Sequence, residues 1–227
     1  MLDDINPTGQ VFHMTVTTSD LAWGAALTAW VAFVTLKLSN WVAEKTSIYV
    51  ARKVIHILGG GVVAVLAPFV FSSPLIVIVM SYILTVYLIA QRLRKKEMGW
   101  FMEKGNLGEV YFTFSYGTVL ALMWALEPNY WTTKDVYIPL IPIYFMSFGD
   151  GVTGIIRNYV YKRRVKGLWG SLGMLAVCVP IGYYYFGLIG MIAGILATAL
   201  ELSNVIDDNV AVTFGTFAYL LLAVKYL

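Results

Sequence analysis

Residues 147–171 bring together an acid, a dense group of cations and a pair of glycines. Asp150 closes an apolar run that begins near Val136, and an acid at membrane depth is costly enough to need a reason. A basic cluster follows it directly and consists of Arg157, Lys162, Arg163, Arg164 and Lys166. The segment KGLWGS, residues 166–171, then starts a new apolar run. Cations and glycines beside an acid favour a phosphate-bearing ligand held through a metal ion.

Further polar residues that are unfavourable in membrane helices stand at the ends of other apolar runs. They open two runs and fill the connection before the last one: Arg52, Lys53, His56, Asn106, Glu109, Glu201, Asn204, Asp207, Asp208 and Asn209. Carboxylates are hard oxygen ligands for Mg²⁺, which usually takes one or two of them plus substrate phosphates. Lys and Arg neutralise the remaining phosphate charge. The set therefore suits a nucleoside triphosphate and phosphoryl transfer, which depends mainly on positioning and charge neutralisation.

The KGLWGS segment is the predicted position of the phosphates. Gly167 and Gly170 allow backbone N–H groups to approach a phosphate closely. We expect Ser171 to cap the helix that follows, whose N-terminus favours anions. Each signal also has a structural interpretation: the basic cluster can set membrane topology, the glycines can form a simple turn, and His56 can be a hydrogen-bonded structural residue. Asp150 is the hardest of these residues to explain structurally.

The composition indicates an integral membrane protein. The chain has 227 residues, of which 59% are hydrophobic and 13% charged, and its mean hydropathy is +0.73. Soluble domains are usually about 25% charged. The single cysteine, Cys178, lies in an apolar run and excludes both a disulfide framework and a Cys-rich zinc site. The first twenty residues contain three Asp but no Lys or Arg, so we expect no cleaved signal peptide.

The segments that position these residues are predicted to be membrane-spanning helices of about 20 residues each. We predict eight spans: 20–38, 54–71, 74–91, 108–127, 136–156, 171–186, 187–202 and 210–226. Spans six and seven are short and meet near Gly187, so a re-entrant or bent segment is an open alternative. The prediction is an all-α, polytopic helical membrane protein, a single integral membrane domain over residues 1–227.

The distribution of cations predicts the orientation. Loops 37–53, 92–104 and 157–166 carry four, five and five of the sixteen Lys and Arg residues, and eight spans put all three loops on one side. The positive-inside rule makes that side cytoplasmic, with both termini outside. The predicted nucleotide site, built from 52–56, 106–109, 147–171 and 201–209, then faces the cytoplasm.

These motifs resemble those of the dolichol kinase/phytol kinase family of polyprenol kinases, which are CTP-dependent membrane enzymes. Arg52-Lys53-x-x-His56, followed by two glycines, is similar to the family's RKxxH segment, and Gly108-Glu109 is similar to its GE segment. The run SFGD at 147–150 looks like the start of the nucleotide-binding region.

The resemblance continues to the C-terminal part of the chain and covers residues 52–209. KGLWGS looks like the end of the nucleotide-binding region, although Leu168 and Trp169 stand where the family often has Ser or Thr and Glu. Glu201 and the pair Asp208-Asn209 match the family's glutamate and closing DN pair.

The resemblance implies that the chain phosphorylates an isoprenoid alcohol such as dolichol, polyprenol, phytol or geranylgeraniol, with CTP as phosphoryl donor and Mg²⁺ as cofactor. The residues implied in nucleotide or phosphate binding are Arg52, Lys166, Gly167, Gly170, Ser171 and Asn209. Those implied as metal ligands are Asp150, Glu201 and Asp208. Those implied in catalysis are Asp150, His56 and Lys53, with Asp150 favoured as the acceptor of the alcohol proton. Glu109 and Asn106 are further candidates.

Two other functions stay open at this point. A CTP-dependent phospholipid cytidylyltransferase would share the nucleotide, the metal and a lipid substrate, but it would release pyrophosphate instead of CDP. An ion-coupled transporter would use intramembrane acids, which commonly lie near the membrane centre. We expect membrane lipid as a partner and no nucleic acid, and the sequence leaves a homodimer open. The expected location is the cytoplasmic membrane of a prokaryote or the endoplasmic reticulum of a eukaryote.

Overall fold

The computed structural model describes residues 16–103, 105–162, 165–203 and 206–226, and helices account for most of them. The described residues form seven long helices and no strand, which confirms the all-α class. The helices are α1 Thr18–Lys45, α2 Ile48–Val70, α3 Leu75–Leu93, α4 Gly108–Leu126, α5 Lys134–Tyr161, α6 Leu168–Leu202 and α7 Asp208–Tyr226. The predicted polar positions that lie outside the described residues are Lys104, Arg163, Arg164 and Asn204.

The helices have the length and composition of membrane-spanning segments, although fewer of them than predicted. Six of the described helices, all except α4, are long and apolar enough to cross a membrane. An all-helical protein with several helices long and apolar enough to span a membrane is therefore confirmed, whereas the count of eight spans is not. Two differences account for the gap. Helix α4 carries several polar residues and buries eleven of its nineteen, and α6 is a single bent element where two spans were predicted.

Helix α6 is broken in its middle, and its two halves pack against each other. Phe186 and Gly187 have non-helical backbone angles, and φ of Gly187 is +55°, a conformation that glycine adopts without strain. Residues 168–185 and 188–202 then pack side by side in opposite directions. Their backbones are so close that a Cβ atom on Gly182 would collide with the carbonyl oxygen of Gly190. A Cβ atom on Gly194 would lie 2.7 Å from the backbone of Cys178. The break therefore produces a tight hairpin with both ends at the same end of the bundle.

This hairpin predicts a strong effect of a single methyl group. Gly182→Ala is expected to lower the free energy of unfolding by about 1–3 kcal/mol, because overpacking forces the two backbones apart. Gly99→Ala is the control, because a Cβ atom there has no neighbour within 4 Å, and we expect a change of less than about 0.5 kcal/mol. The measurement is thermal unfolding of the purified protein in detergent. Equal midpoints for the two variants would contradict the close hairpin.

Helices α2 and α5 cross at a contact formed by glycines and by wide helical turns. Residues Ile55–Gly61 of α2 and Phe145–Gly149 of α5 form π-helical segments, a feature often found at functional sites. A Cβ atom on Gly61 would lie 2.7 Å from the Phe148 ring, and one on Gly151 would lie 2.5 Å from Ile57. The glycines therefore let α2 and α5 approach closely enough for their polar side chains to meet.

The ionised side chains separate into two ends of the bundle. The middle of α5, including Ile138, Ile141 and Phe145, is fully buried in the main hydrophobic core. Beyond one end of that core, buried Asp20 accepts hydrogen bonds from the backbone and side chain of Ser72. At the other end lie the starts of α2, α4, α6 and α7 together with the ends of α5 and α6. We call this second end the polar end.

Candidate functional site

The first group of the polar end joins α2 to α5. Lys53 Nζ donates a hydrogen bond to Asp150 Oδ2 at 2.6 Å, and His56 Nδ1 lies 3.3 Å from the same oxygen. Lys53 and His56 are three residues apart on α2, so they share one face of that helix. None of the three residues is more than 9% exposed. The aliphatic part of Lys53 crosses α5 at Gly154, where a Cβ atom would collide with it.

The second group joins the end of α5 to the two ends of α6 and the start of α7. Arg157 forms a two-pronged ion pair with Glu201, with Nη1–Oε1 and Nη2–Oε2 distances of 2.5 Å and 3.0 Å. Both residues are buried. Lys166 Nζ donates to Asp208 Oδ1 at 2.8 Å and to the backbone carbonyl of Glu201. Gly170 lies against the Arg157 side chain, which occupies the space that a Cβ atom would need.

The third group holds the segment that precedes α4 against α2 and α3. Arg52 donates to Glu103 Oε2 at 2.9 Å and to Asn106 Oδ1 at 3.2 Å. Arg92, at the end of α3, donates to Glu109 Oε1 through Nε at 2.9 Å. Glu109 Oε2 is buried and has no hydrogen-bond partner within the described part of the chain; its distance from Arg52 Nη2 is 3.8 Å. One oxygen of this carboxylate is therefore without a donor.

Backbone and side-chain contacts join the three groups. Asn209 Nδ2 donates to the carbonyl oxygen of Gly108 at 3.1 Å, which ties the start of α7 to the start of α4. Its N–H and side-chain amide also donate to Asp207 Oδ1. The third and first groups are adjacent because Arg52 and Lys53 are consecutive residues of α2. The first and second groups are adjacent because Asp150 and Arg157 both lie on α5. The predicted residues at 52–56 and 106–109 therefore lie at one end of the bundle together with Asp150, Glu201 and 207–209.

The three predicted metal ligands do not converge on a common point. Asp150 pairs with Lys53, Glu201 with Arg157, and Asp208 with Lys166. Within the described ranges, no group of three or more His, Cys, Asp or Glu side chains is arranged to hold a metal ion. These acids do not fit a preassembled Mg²⁺ centre, because each of them is paired with a different cation. That they bind Mg²⁺ stays a prediction.

The KGLWGS segment has a different helix start from the one predicted. Helix α6 begins at Leu168, and Gly167 is the residue that precedes it, with no side-chain cap. Ser171 is therefore not the capping residue; it lies in the first turn, and its hydroxyl donates to the Gly167 carbonyl oxygen at 3.4 Å. The reason is that Leu168 and Trp169 can adopt helical angles directly after the extended backbone of Gly167. Gly167 itself packs on Tyr161, because a Cβ atom added at this position would lie 2.7 Å from the phenol oxygen.

An apolar cavity of ≈ 440 Å³ lies between α1, α2, α3 and α4. Its walls are apolar over most of their length, but Arg52, His56 and Glu109 line it where it reaches the polar end. Ile83 and Tyr87 also line it and are about half exposed, so the cavity opens on the outer apolar surface of the bundle. Volumes of this size are typical of small-molecule sites.

Sequence reasoning missed three features of this site. It placed Arg92 and Arg157 among the loop cations and did not predict that both form ion pairs with buried carboxylates. A usable signal existed for Arg157, because it follows Asp150 by seven residues and therefore lies two turns along the same face of α5. The cavity had no sequence signal, since its walls come from ordinary apolar residues of four helices.

Comparison of the chain with models of known protein families, with curated proteins and with solved structures finds no match.

Proposed function

We propose that the chain is a membrane phosphotransferase that transfers the γ-phosphoryl group of CTP to the hydroxyl of an isoprenoid alcohol and releases CDP. The observation that carries this proposal is the apolar cavity that ends at Arg52, His56 and Glu109. A long apolar chain with a small polar head fits such a cavity, because the chain gains burial while the head reaches the ionised groups. Residues 24–36 of α1 line its length, about 18 Å at 1.5 Å per residue.

The cations of the polar end supply the charge that a triphosphate requires. Arg52, Lys53, Arg157 and Lys166 each already pair with a carboxylate, so phosphate oxygens would replace carboxylate oxygens as acceptors. Among these four pairs, Lys166–Asp208 is the one in which both side chains are accessible, at 22% and 24% exposed. We therefore propose that the phosphates enter beside Lys166, Gly167 and Gly170, and that the γ-phosphate reaches Arg52 and Lys53.

The transfer itself needs few protein groups. The alcohol oxygen forms a bond to the γ-phosphorus, the bond from that phosphorus to the β–γ bridging oxygen breaks, and CDP leaves with the bonding electrons. Arg52 and Lys53 neutralise charge on the phosphoryl oxygens during the transfer. An acid of the polar end accepts the hydroxyl proton. Asp150 fixes the position of Lys53 through their 2.6 Å contact.

The proposed topology has eight spans. Helix α4 and each half of α6 count as spans, which places both chain ends on the side opposite the polar end. The polar end then faces the cytoplasm, where CTP is available, as the three cation-rich loops favour. The membrane is the cytoplasmic membrane of a prokaryote or the endoplasmic reticulum of a eukaryote.

Product analysis tests the proposed reaction. Protein purified in detergent is incubated with CTP, UTP or ATP and with phytol, geranylgeraniol, a polyprenol or a lipid phosphate, and the released products are identified. We expect CDP in an amount equal to the lipid monophosphate formed. Pyrophosphate release with a lipid phosphate as acceptor would instead indicate a cytidylyltransferase.

Filling the cavity is expected to discriminate between long and short alcohols. Ala32 lines the cavity, so Ala32→Trp removes space that a long chain needs. Loss of burial for two methylene groups already costs about 1.6 kcal/mol, so we expect the KM for geranylgeraniol to rise at least ~10-fold. The KM for a five-carbon prenol should change less than ~3-fold. Ala43→Trp, on the same helix but outside the cavity wall, is the control, and equal effects of both variants on geranylgeraniol would contradict the proposed tail site.

A further inference from the structure

Glu109 and Asp150 are the two acids of the polar end considered as acceptors of a substrate hydroxyl proton, and they differ in whether they line the apolar cavity. Glu109 lines the apolar cavity, together with Arg52 and His56. Asp150 is not among the described residues of the cavity wall. A lipid whose tail occupies the cavity therefore brings its head group to Glu109 and not to Asp150.

The two acids also differ in their hydrogen bonds. Asp150 Oδ2 already accepts from Lys53 at 2.6 Å and lies 3.3 Å from His56 Nδ1. Glu109 uses Oε1 to accept from Arg92, while Oε2 has no donor among the residues that the structure describes. Glu109 is only 7% exposed, and Oε2 itself is buried without a hydrogen bond, with Arg52 Nη2 3.8 Å away. A buried acceptor without a donor is costly, and a bound ligand that supplies the donor removes that cost.

The groups around Glu109 Oε2 suit the attack of a hydroxyl on a phosphate. Arg52 Nη2 lies 3.8 Å away, close enough to orient the carboxylate but too far for a hydrogen bond. His56 lines the same end of the cavity and stacks on Phe112 with 4.1 Å between ring centroids. An alcohol oxygen bound to Oε2 would lie beside Arg52, the neighbour of Lys53, where the γ-phosphate is proposed to bind.

We propose that Glu109 is the catalytic residue that binds the substrate hydroxyl through Oε2 and accepts its proton. This inference rests on the proposed function, and it transfers the role of base from Asp150 to Glu109. The hydroxyl proton moves to Glu109 Oε2 as the alcohol oxygen bonds to the γ-phosphorus, and CDP departs as the β–γ phosphoanhydride bond breaks. Asp150 then acts as a positioning residue for Lys53.

The same geometry defines the head group that the cavity selects. A neutral hydroxyl can donate to Oε2, whereas a methyl ether has no proton to donate. A carboxylate head brings a second negative charge next to Glu109 and is disfavoured. The cavity is therefore specific for a long-chain alcohol over the matching ether or fatty acid.

Turnover by two matched variants tests the role of Glu109. Glu109→Gln keeps an acceptor for the hydroxyl but is a far weaker base, so kcat should fall at least ~100-fold while the KM for geranylgeraniol changes less than ~3-fold. Glu97→Gln is the control, because Glu97 also pairs with Arg92, at 3.2 Å, but does not line the cavity. Its kcat should stay within ~2-fold of the unmodified protein. Normal kcat in Glu109→Gln would overturn the assignment even if the protein is a kinase.

Binding without nucleotide separates this assignment from the kinase proposal. Geranylgeraniol should bind at least ~10-fold more tightly than its methyl ether, since a hydrogen bond to a buried carboxylate is lost with the ether. Glu109→Met should abolish that preference and Glu97→Met should keep it. A preference for the alcohol in a protein that phosphorylates nothing would refute the kinase proposal and leave the hydroxyl site standing. Equal binding of alcohol and ether by the unmodified protein would refute the hydroxyl site, whether or not Glu109→Met folds.

Discussion

Asp150→Asn is expected to reduce lipid phosphorylation at least ~100-fold and to lower the free energy of unfolding by about 3–5 kcal/mol. Removing the carboxylate leaves the Lys53 ammonium buried without its partner, and an uncompensated buried charge of this kind is strongly destabilising. The loss of activity follows because Lys53 no longer has a fixed position from which to neutralise a phosphoryl oxygen. Both quantities are measured on the folded fraction of the purified variant, by label transfer and by thermal unfolding.

A double variant separates the two effects. Lys53→Met with Asp150→Leu replaces the pair by apolar side chains, which is commonly neutral or stabilising for a buried ion pair. We expect this protein to unfold near the temperature of the original one while remaining inactive. If the stable double variant phosphorylated lipid normally, the Lys53–Asp150 pair would be structural and would have no part in the reaction.

Glu201→Ala is also expected to destabilise the protein strongly. In the unmodified protein both terminal nitrogens of Arg157 donate to Glu201. The change therefore leaves the Arg157 guanidinium buried without an acceptor. We expect the free energy of unfolding to fall by about 3–5 kcal/mol, measured by thermal or denaturant unfolding in detergent. The pair also joins the end of α5 to the end of α6, so its loss should loosen the second half of the hairpin.

An exposed ion pair provides the matched control for Glu201. Glu127 contacts Lys225 at 2.8 Å, with side chains 34% and 26% exposed, so Glu127→Ala should cost less than about 1 kcal/mol. Arg157→Met with Glu201→Leu should recover most of the stability lost in Glu201→Ala. An equal loss in Glu127→Ala and Glu201→Ala would show that burial of the second pair is not the source of its effect.

The polar residues that gather at one end of the bundle can be predicted from the sequence, because the order of the spans decides which loops lie on the same side. Lys53 and His56 stand at the start of an apolar run, and the structure places them beside Asp150, almost one hundred residues further along the chain. The helical class follows from the same apolar runs. The number of spans does not follow from them. The polar residues of α4 lower its mean hydropathy, and they are tolerated there because much of this helix is buried inside the protein.

Pairing and burial depend on tertiary contacts that no local pattern encodes. The partner of Arg157 could not be predicted, because it depends on the hairpin that brings the end of α6 beside α5. The same holds for Glu109, whose Oε2 lacks a hydrogen-bond donor because of the positions of Arg52 and Arg92 on two other helices. Local rules also misplaced the start of α6, where Ser171 looks like a cap but lies inside the first turn.

The fate of the γ-phosphate of CTP is the most direct test of the central claim. The purified protein is incubated with γ-labelled CTP, UTP or ATP and with geranylgeraniol, phytol or a polyprenol, and the label is followed in the lipid, nucleotide, orthophosphate and pyrophosphate fractions. The proposal predicts label in the lipid monophosphate, in an amount equal to the CDP released, and none above background with Asp150→Asn. Label in pyrophosphate, or no transfer to any alcohol or from any nucleotide by folded protein, would contradict it.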